Sequence, residues 1–384
     1  MRMPCHEQLD RRAFISRLGR AAFWATLAPY VVPPSLARAI NPTRHYAEVK
    51  YYEKLPGDRV HCFLCPYDCT LMPGETCPCR TRTNHRGILL NHAYGNPCIV
   101  NFDPIEMLPM NHFLPGTTTL GLGLAGCNLR CCYCQNWQVS QKRPDQTENV
   151  DMPETKAAAS ARQKKLTSIS FTYTEPVVFS EYVLAVAKEA QKNRISVVAA
   201  TSGYINKKPL QELCRYVTAF SVTLKAFNDD FYQEMCGVRL KPVLDSLVTI
   251  KSQGNWLEVV NLIVPDKNDS PEEIERMSRW LKTNLGAETP LHFLRFMPEY
   301  KMQNHPRTPL ETLERAREIA LSAGLDYVYI SNVAPHIGNN TYCPKCHAIL
   351  IERVGYRILS NRMRGAQCPF CKTKLPGVWT RSSA

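Results

Sequence analysis

Three cysteines on one short loop constrain this chain most strongly. Cys127, Cys131 and Cys134 form a C-x3-C-x2-C motif within the segment GLGLAGCNLRCCYCQNW, residues 121–137. Three thiolates at this spacing can bind three irons of a [4Fe–4S] cluster, and such clusters are normally held by four cysteines. The next cysteine downstream is Cys214, so the loop itself supplies no fourth ligand. The motif therefore predicts a cluster with one iron that a small molecule can coordinate.

Other interpretations of the loop fit less well. A structural zinc site favours four closed ligands, and this spacing does not supply a pair of C-x2-C knuckles. Cys132 lies between two proposed ligands and is interpreted as a bystander that could compete for iron. Gly121, Gly123 and Gly126 also spell G-x-G-x-x-G. A dinucleotide site needs a helix to begin there, so we interpret these glycines as a tight turn that lets the backbone approach a cofactor.

The cysteine spacing resembles the signature of the radical S-adenosylmethionine (SAM) superfamily. The resemblance implies that the open iron binds the amino and carboxylate groups of SAM. It also implies that one electron splits the sulfonium and that the resulting 5′-deoxyadenosyl radical abstracts hydrogen from a substrate. The protein then has to orient the radical beside one substrate hydrogen and exclude water.

Composition adds two constraints. The chain has 384 residues and a net charge of +13, which could attract an acidic protein, a nucleic acid or a membrane surface. No RNP-type motif and no basic run with interleaved aromatics is present, so charge alone does not indicate a nucleic-acid binder. Of the 17 cysteines, 13 fall within residues 62–79, 127–134 and 343–371. Their short spacings indicate metal sites assembled under reducing conditions rather than disulfides.

Residues 1–39 have the features of an export signal. Arg11 and Arg12 precede an apolar stretch from Ala21 to Val32 and an A-x-A site that ends at Ala39. This pattern is typical of a Tat-type signal. As a helix the stretch would span about 18 Å, too short for a bilayer core of about 30 Å. An amphipathic N-terminal helix or an interfacial anchor is the alternative. The pattern predicts export to the periplasm or extracytoplasmic side; without export the protein would be cytoplasmic.

A cysteine-rich module is predicted over residues 40–115. Cys62, Cys65, Cys69 and Cys79 have the spacings of a small metal knuckle, and Cys77 is left as a spare. A closed set of four thiolates suits zinc. A second Fe–S cluster is the alternative.

A second cysteine-rich unit is predicted over residues 336–384. Cys343 and Cys346 form one C-x2-C knuckle, and Cys368 and Cys371 form another. Paired knuckles indicate a zinc ribbon, although rubredoxin-type iron uses similar ones. A unit this short would depend on its metal for folding. It could dock a substrate or cap the neighbouring domain.

The core, residues 116–335, alternates short apolar runs with helical patterns. Strands are predicted at 118–124, 168–173, 195–201, 219–224, 257–264, 290–296 and 327–331. Helices are predicted at 177–192, 207–217, 230–253, 271–284 and 309–323. This alternation indicates an α/β fold with a parallel sheet, in the form of an open or partial (β/α) barrel whose ligands bind at the carboxyl ends of the strands.

A more specific resemblance covers residues 48–380. The chain is similar to the radical SAM enzymes of the AmmeMemoRadiSam system, which are relatives of pyruvate formate-lyase activating enzyme. The motifs that carry the resemblance are C-x2-C-P, D-P-I-E, G-C-N-L-R-C-x-Y-C-Q-N-W, T-Y-T-E-P, N-D-S, H-F-x-R-F-x-P-x-Y and N-T-Y-C-P-x-C. The family implies a [4Fe–4S] cluster, SAM and a partial barrel, but it does not define a substrate.

The resemblance also implies roles for individual residues. Glu175 takes the place of the carboxylate that binds the SAM ammonium, and Ser202 lies where relatives often have Asn beside the methionine moiety. Lys225 matches the lysine of a D-L-K motif, in which this chain has Thr223 instead of the acid. Tyr133 would present its backbone to the adenine.

Three functions are compatible with these patterns. The favoured one is a radical SAM enzyme that takes hydrogen from a protein substrate and receives electrons from a low-potential flavodoxin- or ferredoxin-like donor. A non-catalytic Fe–S or zinc electron-transfer protein and a nucleic-acid-docking protein are the alternatives. A closed four-cysteine cluster would favour the former, and binding that falls steeply with salt would favour the latter.

Overall fold

A computed structural model describes residues 46–380 of the chain. The predicted signal, residues 1–39, lies outside this part. Within it, no helix is both long enough and apolar enough to cross a membrane.

Two small antiparallel sheets form the first part of the described chain. Their strands are β1 (Ala47–Glu48), β2 (Tyr52–Leu55), β3 (Arg59–Cys62), β4 (Cys69–Leu71), β5 (Arg82–His85) and β6 (Ile88–Asn91). One sheet has the order β1-β6-β5 and the other β2-β3-β4. Arg86 and Gly87, both at positive φ, form the two-residue turn between β5 and β6. Such turns match the twist of a hairpin.

An eight-stranded sheet forms the centre of the molecule. Its strands are β7 (Ile99–Pro104), β8 (Thr118–Gly123), β9 (Ser168–Phe171), β10 (Ser196–Thr201), β11 (Ala219–Thr223), β12 (Trp256–Ile263), β13 (Leu291–Arg295) and β14 (Val328–Ser331). Neighbours in the sheet follow chain order, from β7 at one edge to β14 at the other. The strands from β8 to β14 are parallel, and β7 pairs antiparallel with β8. All seven strands predicted for the core are confirmed.

Helices connect the parallel strands. They are α1 (Trp137–Ser140), α2 (Glu154–Gln163), α3 (Ser180–Lys192), α4 (Lys207–Cys214), α5 (Asp229–Phe231), α6 (Lys241–Ser252), α7 (Pro271–Leu285) and α8 (Leu310–Ser322). Four short 3-10 turns occupy Ile105–Met107, Pro144–Gln146, Pro176–Phe179 and Ile337–Asn339. The predicted start of α7 is confirmed, because the Ser270 hydroxyl accepts a hydrogen bond from Glu273 N.

The single helix predicted over 230–253 is wrong. α5 passes into a π-helix, Tyr232–Cys236, which ends at Gly237 with φ 74°. Pro242 then lies in the first turn of α6, where its missing N–H costs nothing. A left-handed glycine is a common helix end, so the segment divides there.

α2 and β7 were not predicted. β7 precedes the predicted boundary between residues 115 and 116, but it pairs with β8, which follows that boundary.

The tail forms the antiparallel sheet β15-β16-β17, with strands Thr341–Tyr342, Ile349–Val354 and Arg357–Asn361. It packs on residues 105–114. Leu114 N donates to Val378 O at 2.6 Å and Val378 N to His112 O at 2.8 Å. His112 in turn contacts Tyr329, the second residue of β14. The tail therefore lies at the amino ends of the central strands.

Candidate functional site

The loop with the three clustered cysteines leaves β8 at its carboxyl end. No helix begins at Gly126, since α1 begins at Trp137, and the dinucleotide interpretation is excluded. The glycines instead allow close packing between protein segments. A Cβ on Gly121 would lie 2.4 Å from Asp103 Oδ2. Gly126 has φ 96°, and a Cβ there would lie 2.5 Å from Thr81 Cγ2 and 2.7 Å from Cys79 O.

Backbone hydrogen bonds hold the loop in shape. Arg130 N donates to Cys236 O at 2.8 Å, and Cys132 N donates to Met235 O at 2.9 Å. Both acceptors lie in the π-helix, a geometry that is frequent at functional sites. On the other side, Lys301 N donates to Cys132 O at 2.9 Å. Residues distant in sequence therefore fix the positions of the three thiols.

The three thiols lie in an environment where the ionised form is unfavourable without a cation. Burial, then the charges of Glu175 and Cys131, raises the pKa of the Cys127 thiol well above its usual value. Burial and the charge of Cys131 raise the pKa of Cys134. A hydrogen bond with Cys236, then burial, raises that of Cys131. A metal deprotonates the thiols that coordinate it and offsets this cost.

Lys225 supplies a positive charge beside the same cysteines. It follows β11, at the carboxyl end of the sheet. Burial would lower the pKa of its ammonium group, but the charges of Cys131, Cys236, Cys134 and Cys127 outweigh burial and raise it. Asn268 Nδ2, from the N-D-S motif, donates to Lys225 O at 2.6 Å and fixes the backbone. The structure therefore places Lys225 beside the predicted cluster ligands.

Glu175 and Ser202 meet at the ends of two neighbouring strands, β9 and β10. Glu175 is 2% exposed. Its Oε2 accepts from Ser202 N at 2.8 Å and from Ser202 Oγ at 2.6 Å. Its Oε1 accepts from Thr201 Oγ1 at 2.5 Å and Val177 N at 3.2 Å. A carboxylate has about four acceptor positions, so Glu175 is held firmly, and a bound ammonium group would have to share oxygens with these donors.

Strand β7 anchors the T-Y-T-E-P loop. Tyr173 has φ 70°, which is unusual for a residue other than glycine. Its hydroxyl contacts Asp103 and accepts from Asn101 Nδ2 at 3.0 Å, and both partners belong to β7. Asn136 Nδ2 donates to Tyr173 O at 2.7 Å. The edge strand that the sequence did not predict therefore holds the loop against the cysteine loop.

Tyr133 and Cys236 lie together behind the loop. The Tyr133 ring is buried among Phe231 and Phe296, and its Oη lies 3.4 Å from Cys236 Sγ. With the ring turned into the core, only the backbone of Tyr133 can face a nucleotide. Cys236 is fully buried and hydrogen-bonds Cys131. Sequence analysis missed Cys236, because nothing in its local sequence marks it as a neighbour of a loop that lies far away in the chain.

The five cysteines of the N-terminal module surround one small cavity, which Arg82 also lines. Cys62 and Cys69 face each other across the β3–β4 pair. Cys77, which the sequence left as a spare, lies within hydrogen-bonding reach of Cys62, Cys69 and Cys79. Cys65 instead interacts with Asn128, next to the first cysteine of the loop.

The four tail cysteines form a compact group. Their sulfur atoms all lie within 4.8 Å of one another, with Cys343 Sγ 3.5 Å from Cys371 Sγ and Cys346 Sγ 3.7 Å from Cys368 Sγ. A tetrahedral zinc with Zn–S bonds of about 2.3 Å needs sulfurs about 3.8 Å apart. The tail therefore has the size of a single-ion site.

The donor set at the carboxyl ends fits an iron–sulfur cluster and a small polar ligand. The loop supplies three thiols, and no three sulfurs there or in the N-terminal module form a single-ion group within the described residues. Two buried oxygens nearby, Asn128 Oδ1 and Asn261 Oδ1, have no hydrogen-bond partner among the described residues. Buried polar atoms are normally paired, so these two oxygens are available to accept a hydrogen bond from a bound polar group.

Comparison with known proteins decides the family. The family model of the radical SAM superfamily matches residues 123–281. The chain belongs to the radical SAM superfamily. An uncharacterised protein of Methanocaldococcus jannaschii is 42% identical over 85% of this chain and 98% of its own length.

Activating enzymes are more distant relatives of this radical SAM protein. The isethionate sulfite-lyase activating enzyme of Oleidesulfovibrio alaskensis is 24% identical over 40% of this chain and 48% of that protein. The pyruvate formate-lyase-activating enzyme of Clostridium pasteurianum is 22% identical over 45% of this chain and 73% of that protein. The predicted superfamily and its α/β fold with a mostly parallel sheet are thus confirmed.

Proposed function

We propose that this protein is a radical SAM enzyme of the AmmeMemoRadiSam-system type that abstracts hydrogen from a protein substrate, as a glycyl-radical activase does. A [4Fe–4S] cluster, when bound by Cys127, Cys131 and Cys134, would supply the electron that cleaves SAM to the 5′-deoxyadenosyl radical. The observation that carries the proposal is the convergence of Lys225 and Glu175 on this three-cysteine loop.

The surrounding residues would bind and orient SAM. Glu175 would accept from the SAM ammonium through oxygens that it shares with its present donors, and Ser202 fixes that carboxylate through two hydrogen bonds. Lys225 offers a cation that can pair with the SAM carboxylate, and Asn268 holds its backbone. Tyr133 packs its ring into the core and would present main-chain atoms to the adenine. Glu175, Ser202 and Lys225 follow the adjacent strands β9, β10 and β11, and Tyr133 lies in the loop after β8, so a ligand bound at these carboxyl ends would lie near all four.

The partner proteins are inferred from the distant relatives. Two of them are named as activating enzymes of lyases, which supports a protein substrate for this chain as well. A flavodoxin- or ferredoxin-like protein would supply the low-potential electron. The substrate residue would be a glycine or another residue of the partner.

We further propose that residues 40–115, 116–335 and 336–384 are three units, and that the tail unit binds zinc as a ribbon. The compact spacing of its four sulfurs supports zinc. For residues 1–39 we propose a Tat-type signal and export to the periplasm or extracytoplasmic side. A reporter fused to residues 1–45 tests this, and a reporter that stays in the cytoplasm contradicts it.

Anaerobic reconstitution tests the enzyme activity. The protein is loaded with iron and sulfide, reduced with dithionite and given SAM, and 5′-deoxyadenosine is measured by chromatography. The nucleoside is expected from the unchanged protein and from Cys132→Ser, a matched control within the same loop. Cys131→Ala is expected to abolish it. Absence of nucleoside above background from a protein with an intact cluster would contradict catalysis.

A further inference from the structure

The cavity in the N-terminal module is surrounded by more thiols than one ion needs. Cys62 and Cys69 reach it from the paired strands β3 and β4, and Cys77 and Cys79 reach it from the loop before β5. Cys65 completes the set of five. Cys62, Cys65, Cys77 and Cys79 are each at most 9% exposed. Buried thiols at this density indicate a metal centre rather than unligated cysteines.

Sulfur spacing in this cavity differs from that of a zinc site. Among the described residues, only the tail cysteines form a group of three or more metal-ligating atoms that lie within 4.8 Å of one another. The N-terminal cysteines do not, although Cys77 is close to three others in turn. A tetrahedral zinc requires every sulfur pair to lie about 3.8 Å apart. Five thiols around one cavity, more than a single tetrahedral ion takes and without a mutually close set of three, suit a centre that contains several metal atoms.

Arg82 provides a second, independent indication. Its side chain is 1% exposed and lines the cavity. Nε donates to Val178 O at 3.3 Å, and Nη2 donates to Glu181 Oε2 at 2.8 Å. Nη1 has no hydrogen-bond partner among the described residues. Leaving a charged donor buried and unpaired is costly. Inorganic sulfide in a cluster would accept from this nitrogen, and such hydrogen bonds adjust cluster potentials.

The cavity adjoins the loop that carries the catalytic motif. Arg80 Nη1 donates to Cys127 O at 3.3 Å. The carbonyl oxygen of Cys79 lies so close to Gly126 that a Cβ there would be 2.7 Å from it. Cys65 interacts with the side chain of Asn128. Cys79 of one centre thus packs against Gly126, the residue that precedes Cys127 of the other centre.

We propose that the N-terminal module holds a second iron–sulfur cluster, ligated from among Cys62, Cys65, Cys69, Cys77 and Cys79, and that this cluster delivers electrons to the catalytic one. One electron passes from a reduced flavodoxin-type carrier to the second cluster and then to the cluster on Cys127, Cys131 and Cys134. The carrier is oxidised by one electron, and no bond forms or breaks during transfer. The electron's destination rests on the proposed function; the presence of the cluster does not. Zinc has no redox chemistry and could not serve here.

Metal analysis of the full chain tests the cluster. The reconstituted protein should contain about eight irons, and the triple variant Cys127→Ala, Cys131→Ala, Cys134→Ala should keep about four irons and four sulfides, since each [4Fe–4S] cluster contributes four of each. After reduction, the electron paramagnetic resonance signal of the triple variant should not respond to SAM. Zinc in place of this iron would overturn the proposal, even if the unchanged protein cleaves SAM. In the unchanged protein, only part of the electron paramagnetic resonance signal should respond to SAM. This measurement tests the second cluster without any substitution.

A comparison of reductants tests the delivery of electrons. The double variant Cys62→Ser, Cys69→Ser is assayed with reduced flavodoxin and with dithionite, and 5′-deoxyadenosine is measured. The ratio of flavodoxin-driven to dithionite-driven product should fall at least about ten-fold relative to the unchanged protein. An unchanged ratio would overturn the relay. Cys214→Ser, in α4 and outside all three cysteine clusters, is the control and should leave the ratio as it is.

Discussion

The two cysteine-rich ends of the described chain have the same residue type but different geometry and location. The four tail cysteines are compact and of single-ion size, and the tail packs at the amino ends of the strands through residues 105–114. The five N-terminal cysteines surround a small cavity without forming such a compact group, and their segment contacts the catalytic loop at the carboxyl ends. In parallel α/β sheets, ligands bind at the carboxyl ends. The tail therefore fits a capping role, and the N-terminal module fits a part in catalysis.

Removing the metal proposed for the tail is the largest perturbation and would separate the two roles. We expect Cys368→Ser to lose the tail metal and unfold the tail locally, since structural zinc sites contribute about 10–16 kcal/mol. Iron content should not change, because the catalytic loop lies at the other end of the sheet. Limited proteolysis and metal analysis measure both effects. If iron were lost as well, the two ends would not be independent.

Gly126→Ala would open the contact between the N-terminal module and the catalytic loop. Its positive φ and the contacts with Thr81 and Cys79 leave no space for a Cβ. We expect a loss of about 3 kcal/mol or more in the free energy of unfolding, from backbone strain and overpacking together. Urea denaturation measures it.

Gly254→Ala is the matched control for this change. Gly254 has φ 79°, and nothing lies within 4 Å of a Cβ added there. In this variant only the left-handed backbone conformation of the alanine lowers the free energy of unfolding, by about 1–2 kcal/mol. Equal losses for the two variants would show that the contact between the two metal loops is not tight.

Acidification should weaken the contact between the tail and the sheet. Burial lowers the pKa of His112 from 6.5 to about 4. The neutral ring bridges the tail and the sheet through Pro376 O at 2.8 Å and Tyr329 Oη at 2.6 Å. Below pH 6.5 the unfolded state binds a proton that the folded state does not, so stability falls as pH drops from 6.5 towards 4. At pH 5 the loss is about 2 kcal/mol.

Urea denaturation at pH 7 and pH 5 measures this difference. Burial alone would raise the pKa of Glu258, but the hydrogen bond and charge interaction with His292 outweigh burial and lower it. The stability that Glu258 contributes is therefore lost chiefly as pH falls below its ordinary pKa of 4.5, below the range from pH 7 to pH 5. His112→Gln should remove most of the difference between pH 7 and pH 5. A difference that persists in the variant would assign the acid sensitivity to other groups.

Cys236→Ala is expected to have the smallest effect. Cys236 hydrogen-bonds Cys131 and Tyr133 but belongs to neither terminal cysteine set. If the catalytic cluster has three protein ligands, Cys131 binds iron, and the bond that Cys236→Ala removes is the one with Tyr133. The variant should then keep its iron, and product formation should change by about three-fold or less, as expected for a loss of about 0.5 kcal/mol. Loss of four irons would instead make Cys236 a fourth ligand, and the cluster would then be closed to SAM.

Much of the fold follows from local sequence. The seven parallel strands are short, largely apolar and mostly buried segments, as expected for strands buried on both faces. The start of α7 is marked by Ser270 and Pro271. The division of 230–253 was also encoded, in Gly237 and Pro242, but apolar residues at helical spacing on both sides obscured it. β7 was not predicted because its residues, IVNFDP, show no regular alternation of apolar and polar side chains. Two of them, Asn101 and Asp103, contact the Tyr173 hydroxyl instead.

The site was predicted in part. Short spacings identify the cysteine sets because ligands close in sequence can meet only locally. The position of Cys236 beside Cys131, and the opposite locations of the two terminal modules, depend on contacts between distant segments. Arg82 shows the same limit: its sequence neighbours do not indicate that its guanidinium bridges Glu181 and a cavity of thiols. Such placements arise from tertiary packing.

Because Gly126 has no side chain, residues of the N-terminal module can pack directly against the catalytic loop. The segment that carries Cys79 and Thr81 packs so closely on the loop of Cys127 that a methyl group on Gly126 would overlap it. One wall of the catalytic loop is therefore made by residues that precede the superfamily match, which begins at residue 123. A fragment that contained only the matched residues would lack this wall. A module taken from a relative would need the same close fit against Gly126 to replace it.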